Sequence, residues 1–354
     1  MLRIDLLEFA PLTLARRERL TIARGTYDSA HLLFVFVHVG NLVGQGCSAP
    51  SEVTRESMLT VTNAMQALAK GLRGFEFMKP GEVADRMDRI VPANPSAKAA
   101  IDMAVHDVAA RNADVPLYRY LGGDKDRMAT DITIGIMPTP AAVDRARRWV
   151  SHGFKALKVK VGANVGTDLE RVRAIRSAVG PSIELRVDGN QGYPWGQALQ
   201  FIRQAKDLDL VFFEQPTSAT DYEGMRVLTE SSPVPIMADE MVLTADDAKK
   251  VRWGNAAKAV NLKLMKHAGI ARAAEIDTIC SSAGFPTMVG CMGEPQLSIA
   301  AGLHFALASK NVRWLDLDSH FNLAADPSSG LRFVEGQLIA PDKPGLGIDV
   351  NWPT

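Results

Sequence analysis

Between about residue 128 and residue 318, short apolar runs alternate with amphipathic segments of helical period. The runs are ITIGI (132–136), ALKVKV (156–161), ELRVD (184–188), VFFE (211–214), PIMAD (235–239), AVNLKL (259–264), PTMVG (286–290) and RWLDLD (313–318). Between them lie segments such as TDLERVRAIRSAVG, which places Leu169, Val172, Ile175 and Val179 on one helical face. Strand–helix alternation predicts parallel strands, because each crossover helix packs back on the sheet it leaves. Eight units in about 190 residues predict an α/β barrel of the (β/α)8 type. The open doubly wound sheet is the competitor, and no glycine-rich dinucleotide fingerprint follows the first strand.

Residues 1–125 read as a mixed α+β unit. LRIDLLEF alternates as a strand does, and AHLLFVFVHVGNLVGQG reads as a hairpin turning at Gly40-Asn41. PSAKAAIDMAVHDVAARNAD (95–114) reads as a helix opened by Pro95 and capped by Ser96, with Ile101, Ala104, Val105 and Val108 forming its apolar stripe. The barrel then spans 126–320. The closing stretch, LRFVEGQLIAPDKPGLGIDVNW within 321–354, reads as strand and loop packing back on the N-terminal unit.

Composition narrows the function classes. Forty lysines and arginines balance forty aspartates and glutamates, which favours neither nucleic acid nor an anionic membrane as partner. The apolar run LLFVFV (32–37) is far too short to span a bilayer. MLRIDLLEFAPLTLARRERL lacks the basic start, apolar middle and cleavage site of a signal peptide. Cys47, Cys280 and Cys291 are few, odd in number and without metal-site spacing, as expected for reduced thiols in the cytoplasm.

In a barrel of this type, chemistry resides at the C-terminal strand ends. Those ends carry Lys160, Asp188, Glu214, Asp239, Lys263 and Asp316, the first five at intervals of 24 to 28 residues. Strand parity turns each inward. Asp188 shares a face with Arg186, Asp239 with Met237, and Lys263 with Asn261. Asp188, Glu214 and Asp239 converge from three successive strands, and carboxylates so placed repel one another unless a cation joins them. Oxygen ligands without sulfur or imidazole favour one Mg2+. Lys160 and Lys263 flank the acids from opposite sides. Lys158 lies on the same face as Lys160 and is expected, as a neighbouring like charge, to lower its pKa and ready it as a base.

The segments KVK (158–160), VDGN (187–190), FEQP (213–216), ADE (238–240), NLK (261–263), GCMGE (290–294) and KPGLG (343–347) resemble the enolase superfamily, muconate lactonizing enzyme subgroup. The resemblance implies a modified (β/α)7β barrel with an α+β capping domain formed by the N-terminal region and the C-terminal tail. It implies Mg2+ on Asp188, Glu214 and Asp239. Superfamily sites use a lysine or histidine base with Mg2+ to stabilise an ene-diolate, a property of the superfamily rather than of this sequence. With Lys160 and Lys263 on opposite faces, the implied reaction is inversion at a carbon next to a carboxylate.

The D-x-D of Asp316 and Asp318 is similar to the mark of the dipeptide epimerases, where it holds the substrate's free ammonium. Arg24 is placed like the arginine that meets the glutamate side chain in Ala-Glu epimerases, so L-Ala-D/L-Glu is the expected substrate. Thr133 and Met292 are further substrate-binding candidates, and Glu294 is expected to line the pocket with Met292. N-acylamino acid racemase, o-succinylbenzoate synthase and muconate cycloisomerase share the template, and a non-catalytic binder of metal-carboxylate ligands is the alternative of another class. A homo-oligomer is expected. The sequence departs from the family pattern at Cys47, where a glutamate is usual nearby, at Arg55, where a glycine is usual nearby, and at His320, close behind the D-x-D.

Overall fold

The computed structural model describes residues 1–351. Its centre is a barrel of eight parallel strands in sequence order: Ile132–Ile134, Ala156–Lys160, Glu184–Asp188, Leu210–Glu214, Ile236–Ala238, Ala259–Lys263, Thr287–Gly290 and Val312–Asp316. All eight runs read from the sequence are present as strands. The first and eighth form no ladder among the described residues but meet at a parallel bridge from Thr130 to Leu315, with the Asp131 N–H donating to Leu315 O at 3.3 Å, so the barrel is nearly closed. Helices such as Val165–Val179 cover the outside with the predicted stripe of Leu169, Val172 and Ile175 buried.

Inside, parity separates two layers. The lower holds an apolar plug of Phe212, Met237, Ala259 and Met288, with Trp314 packed against it, beside Lys158 and Arg186, whose guanidinium lies 5.6 Å from the Phe212 ring centroid. Two residues further along these strands stand Glu214, Asp239, Asn261 and Asp316. The plug keeps water from reaching the charged layer from below, which strengthens every electrostatic interaction above it.

The N-terminal unit is a three-stranded antiparallel sheet, Leu6–Ile22, Gly25–Val39 and Leu42–Ser48, backed by helices Met58–Leu72, Pro80–Ile90 and Pro95–Asn112. The hairpin turns at Gly40, whose φ of 57° is one that glycine adopts freely. The last of these helices corrects the amphipathic reading. Ser96 through Ala110 are buried on every face, because the sheet packs on one side and helix Ile270–Ser282 on the other. A side-chain carbon on Gly44 or Gly46 would overlap the carbonyls of Ala104 and Ala100, so this sheet-to-helix approach requires glycine. Ser96 is not the cap. Asn94 occupies that position, and the Ser96 N–H instead donates to the Glu56 carboxylate at 3.1 Å. Asp102 crosses to the barrel and accepts the Ile270 N–H at 2.5 Å, placing a carboxylate at that helix's positive end.

The C-terminal segment divides its contacts. Strands Arg332–Val334 and Gln337–Ile339 form a sheet with Arg127–Ala129, just before the first barrel strand. Beyond them, the Leu117 N–H donates to Gly345 O at 2.8 Å and the Leu346 N–H to Asp107 at 2.7 Å, joining the tail to the N-terminal unit. Among the described residues no helix is long and apolar enough to cross a membrane.

Candidate active site

The upper layer of the barrel is a ring of paired charges. Lys160, ending the second strand, donates to Asp188, ending the third, at 2.5 Å. Lys263, ending the sixth, donates to Asp239, just past the fifth, at 2.7 Å. In an eight-stranded barrel the second and sixth strands are diametrically opposed, so the two ammonium groups approach the ring from opposite sides. Glu214 accepts from Asn261 at 2.7 Å and Lys158 at 3.0 Å. Gln215, with φ of 28°, turns the chain at once after Glu214 and uses its side-chain oxygen to hold the Asp239 N–H at 2.9 Å. Gly290 faces this ring. A carbon added there would stand 2.7 Å from Asn261 Oδ1 and 3.1 Å from Lys263 Cε.

Lys158 differs from expectation. It is 1% exposed and contacts Asp316 at 2.6 Å, Glu214 at 3.0 Å and Asp188 at 3.2 Å. Burial pulls its pKa down, yet Asp316, Glu214, Asp188 and Asp131 outweigh burial and hold it well above the ordinary lysine value. Lys158 is therefore the charged hub joining the ring to the eighth strand, and three acids neutralise the charge it was expected to impose on Lys160.

The carboxylates show what such a ring requires. Burial and the neighbouring Asp188 push Glu214 up to about 8. Burial and Asp239 push Glu240, after the fifth strand, up to about 7. Asp188 and Asp239 are held below the ordinary aspartate value, because the lysines overcome the effect of burial. The buried oxygens Asn190 Oδ1 and Glu240 Oε2 accept no hydrogen bond among the described residues. Buried acceptors without donors fit a hard cation. Asp188, Glu214 and Asp239 nevertheless lean towards different partners. Among the described residues, three acidic oxygens lie within 4.8 Å of one another at Asp131, Asp316 and Asp318. Asp131 pairs with Arg186 at 2.8 Å and Asp316 with Lys158, so two of those three acids are already neutralised by fixed cations.

The D-x-D pair lies beside this hub. Asp318 accepts the Thr133 N–H at 2.6 Å, and burial, reinforced by Asp316, raises its pKa. Both aspartates, Thr133, Met292, Arg24, Lys158, Lys160 and Lys263 line one cavity of about 690 Å3 between the barrel mouth and the N-terminal sheet. Asp188, Glu214 and Asp239 do not line it and are joined to it through the lysines that hydrogen-bond them. Arg24, at the hairpin turn, is 41% exposed and 4.0 Å from Glu52. Glu294 does not line the cavity. Its carboxylate accepts the Met292 N–H at 2.7 Å, and burial pushes it up to about 7.

The departures also acquire positions. Arg55 takes a left-handed φ of 56° at the end of a 3-10 turn, the conformation a glycine suits. His320 packs at a tilt on Phe321, ring centroids 4.0 Å apart, with its Nδ1 unpartnered among the described residues, and burial lowers its pKa to about 3. Site residues the sequence reading passed over are Asn190, Glu240, Lys266 and Arg16. Lys266, three residues after Lys263, reaches Asp239 at 2.8 Å. Asn190 and Glu240 lay inside the quoted VDGN and ADE segments, and Asn190 donates to Glu240 at 3.3 Å.

A barrel with opposed lysines over strand-end acids, under an α+β cap, defines a class, and comparison with known proteins agrees. Residues 8–122 match the N-terminal domain of the mandelate racemase / muconate lactonizing enzyme family, and residues 141–354 match the enolase C-terminal domain-like family. The chain belongs to this family of the enolase superfamily. It is 36% identical over 337 residues to a hydrophobic dipeptide epimerase of Enterococcus faecalis, covering 94% of this chain and 95% of the relative. It is 35% identical over 340 residues to an L-Ala-D/L-Glu epimerase of Bacillus subtilis, covering 93% and 91%. The crystal structure of the Enterococcus faecalis V583 dipeptide epimerase, complexed with Mg and L-Leu-L-Tyr, superposes with a TM-score of 0.95 at 35% identity, covering 98% of this chain and 99% of that one.

Proposed function

We propose that this protein is a Mg2+-dependent dipeptide epimerase that inverts the α-carbon of the C-terminal residue, with L-Ala-D/L-Glu as substrate. The observation that carries the reading is the placement of Lys160 and Lys263 on opposed strands, each 6–7% exposed and each on a ring carboxylate. Asp188, Glu214 and Asp239 would hold Mg2+. The bound ion supplies Lewis-acid stabilisation of the substrate carboxylate as charge develops on it. One lysine, as free amine, takes the α-proton from one face, while the other, as ammonium, delivers a proton to the opposite face. Reversal exchanges the two roles, so both epimers are substrates. Lys158, held charged by four acids, keeps the ring and the eighth strand in register. Asp316 and Asp318, which line the cavity beside Lys158, receive the substrate's α-ammonium, and Arg24 receives the glutamate side chain bidentately.

The test is to incubate the protein with Mg2+ and L-Ala-L-Glu in D2O and follow the glutamyl α-proton by 1H NMR. Deuterium should enter that carbon as the D-epimer accumulates. Asp318→Asn should lower kcat/KM more for the free dipeptide than for its N-acetyl counterpart. Absence of exchange across a broad dipeptide panel would remove the reading.

A further inference from the structure

The hairpin that roofs the cavity carries the sequence ARRER at an interruption of its ladder. Strands Leu6–Ile22 and Gly25–Val39 pair regularly as far as Ala15 with Ser29, and pairing resumes at Leu20 with Tyr27. Arg16, Arg17, Glu18 and Arg19 thus oppose the single residue Asp28, forming a bulge over the barrel mouth. The bulge is fastened to the segment after the eighth strand. Arg16 makes an antiparallel bridge to Leu323, and the Ala324 N–H donates to Ala15 O at 2.8 Å. Arg17 Nε donates to Leu323 O at 3.1 Å, and Asn322 exchanges two hydrogen bonds with the Glu18 backbone. The Glu18 carboxylate is held by Arg145 and Arg148.

Arg17 and Glu18 are thus committed to docking. Arg16 is not. Its guanidinium projects into the cavity against Gly293, where an added carbon would stand 2.6 Å from Nη2. Its buried Nε has no hydrogen-bond partner among the described residues. The ionisable groups that act on it are Cys291, Asp318 and Tyr27, and they fail to offset the effect of burial. Burial raises the pKa of both the Cys291 thiol and the Tyr27 phenol, so both are neutral and leave Asp318 as the only anion of the three. Asp318 is already engaged by the Thr133 N–H, and Asp316 by Lys158. A substrate ammonium placed on this D-x-D draws further on the same two carboxylates. Arg16 then has no counter-ion unless the substrate brings one. The substrate group nearest Arg16 is the first residue, because that residue carries the ammonium.

We propose that Arg16 selects a carboxylate on the side chain of the substrate's first residue, so that dipeptides beginning with Asp or Glu are preferred over those beginning with Ala. This rests on the epimerase reading above and revises its first residue, from alanine to an acidic one. A guanidinium–carboxylate contact distinguishes an acid from its amide isostere by about ten- to a hundredfold.

The experiment measures kcat/KM for α-proton exchange in D2O with Mg2+ on L-Glu-L-Glu, L-Gln-L-Glu, L-Asp-L-Glu, L-Asn-L-Glu and L-Ala-L-Glu. The acid-to-amide ratio at position one should be tenfold or more, fall towards one in Arg16→Met and be intermediate in Arg16→Lys. The ratio is internal to each variant, so a partly active or destabilised variant still reports it. Should Arg16→Met not fold, Gly293→Ala, which crowds the guanidinium without removing it, should lower the same ratio. Equal rates for acid and amide, or a preference that survives Arg16→Met, would overturn the assignment while leaving the epimerase intact. Faster exchange of N-succinyl-L-Glu than of every dipeptide would also overturn it, assigning Arg16 to an acyl carboxylate. Exchange with no dipeptide at all would sink the epimerase reading and this one with it.

Discussion

Removing one lysine at a time should separate the two half-reactions. In Lys160→Ala the remaining base, Lys263, can take a proton only from the face it borders, and the reverse holds for Lys263→Ala. Each variant should therefore lose net epimerisation and still exchange the α-proton of one epimer, a different epimer for each variant. Loss of a general acid–base group costs about 10²–10⁴ in rate, about 3–5 kcal/mol of transition-state stabilisation. The fold should tolerate both changes. Asp188 keeps Lys158 at 3.2 Å and the Asn190 N–H at 2.9 Å, and Asp239 keeps Lys266 at 2.8 Å. Each acid thus retains a cation, so the loss should fall below the roughly 3–5 kcal/mol of a buried charge left unpaired. Lys158→Ala has no such reserve and should be the least stable of the three. The assay incubates L-Ala-L-Glu and L-Ala-D-Glu separately in D2O, reading proton loss by 1H NMR and inversion by circular dichroism, with urea unfolding as the stability control. Persisting epimerisation in either variant, or loss of exchange from the same epimer in both, would refute the opposed-base geometry.

Three other outcomes follow from the site. Mg2+ at a hundred times its Kd should stabilise the wild-type protein by about 2.7 kcal/mol, seen as a rise in Tm that EDTA reverses; Glu214→Gln should abolish most of that rise, and an equal rise would move the ion elsewhere. Gly290→Ala should lower kcat up to about a hundredfold by displacing Lys263 through its Cε contact, since an ångström of misplacement has that effect; unchanged kcat would show that Lys263 accommodates the methyl. Glu294, raised by burial to about 7 from 4.5, holds its proton more tightly in the folded state. Its contribution is therefore full below about pH 4.5 and lost as pH rises through about 7, a change of about 3 kcal/mol that Glu294→Gln should remove from urea midpoints compared at pH 5 and pH 8.

The barrel was readable from local pattern. Ala156–Lys160 and Glu184–Asp188 are parallel neighbours in which Lys160 pairs with Asp188, as alternation and strand parity require. The helix at Pro95–Asn112 shows where local pattern fails. Its sequence suggests one apolar stripe, but its polar members are buried through distant partners, Asp102 at the Ile270 N–H and Asp107 at Leu346. A hydrogen bond that spans more than a hundred residues leaves no periodic trace at either end. Lys158 is similar. Parity places it beside Lys160, and only the closing of the barrel reveals that Asp316, far along the chain, sits 2.6 Å from it.

By itself the sequence determined the order of the strands, the residues at their ends and the two lysines that stand a half-barrel apart. These follow from a two-residue strand repeat and a fixed strand–helix spacing, both properties of neighbouring residues. Tertiary structure decided which charge neutralises which, and left Arg16 Nε without a hydrogen-bond partner among the described residues. Arg16, Arg17 and Arg19 belong to one basic run, yet only docking of the bulge on Leu323 and Asn322 turns Arg16 into the cavity and commits Arg17 to a carbonyl. Electrostatic partners are set by distance through space, and in a nearly closed barrel that distance is small between residues the chain keeps far apart.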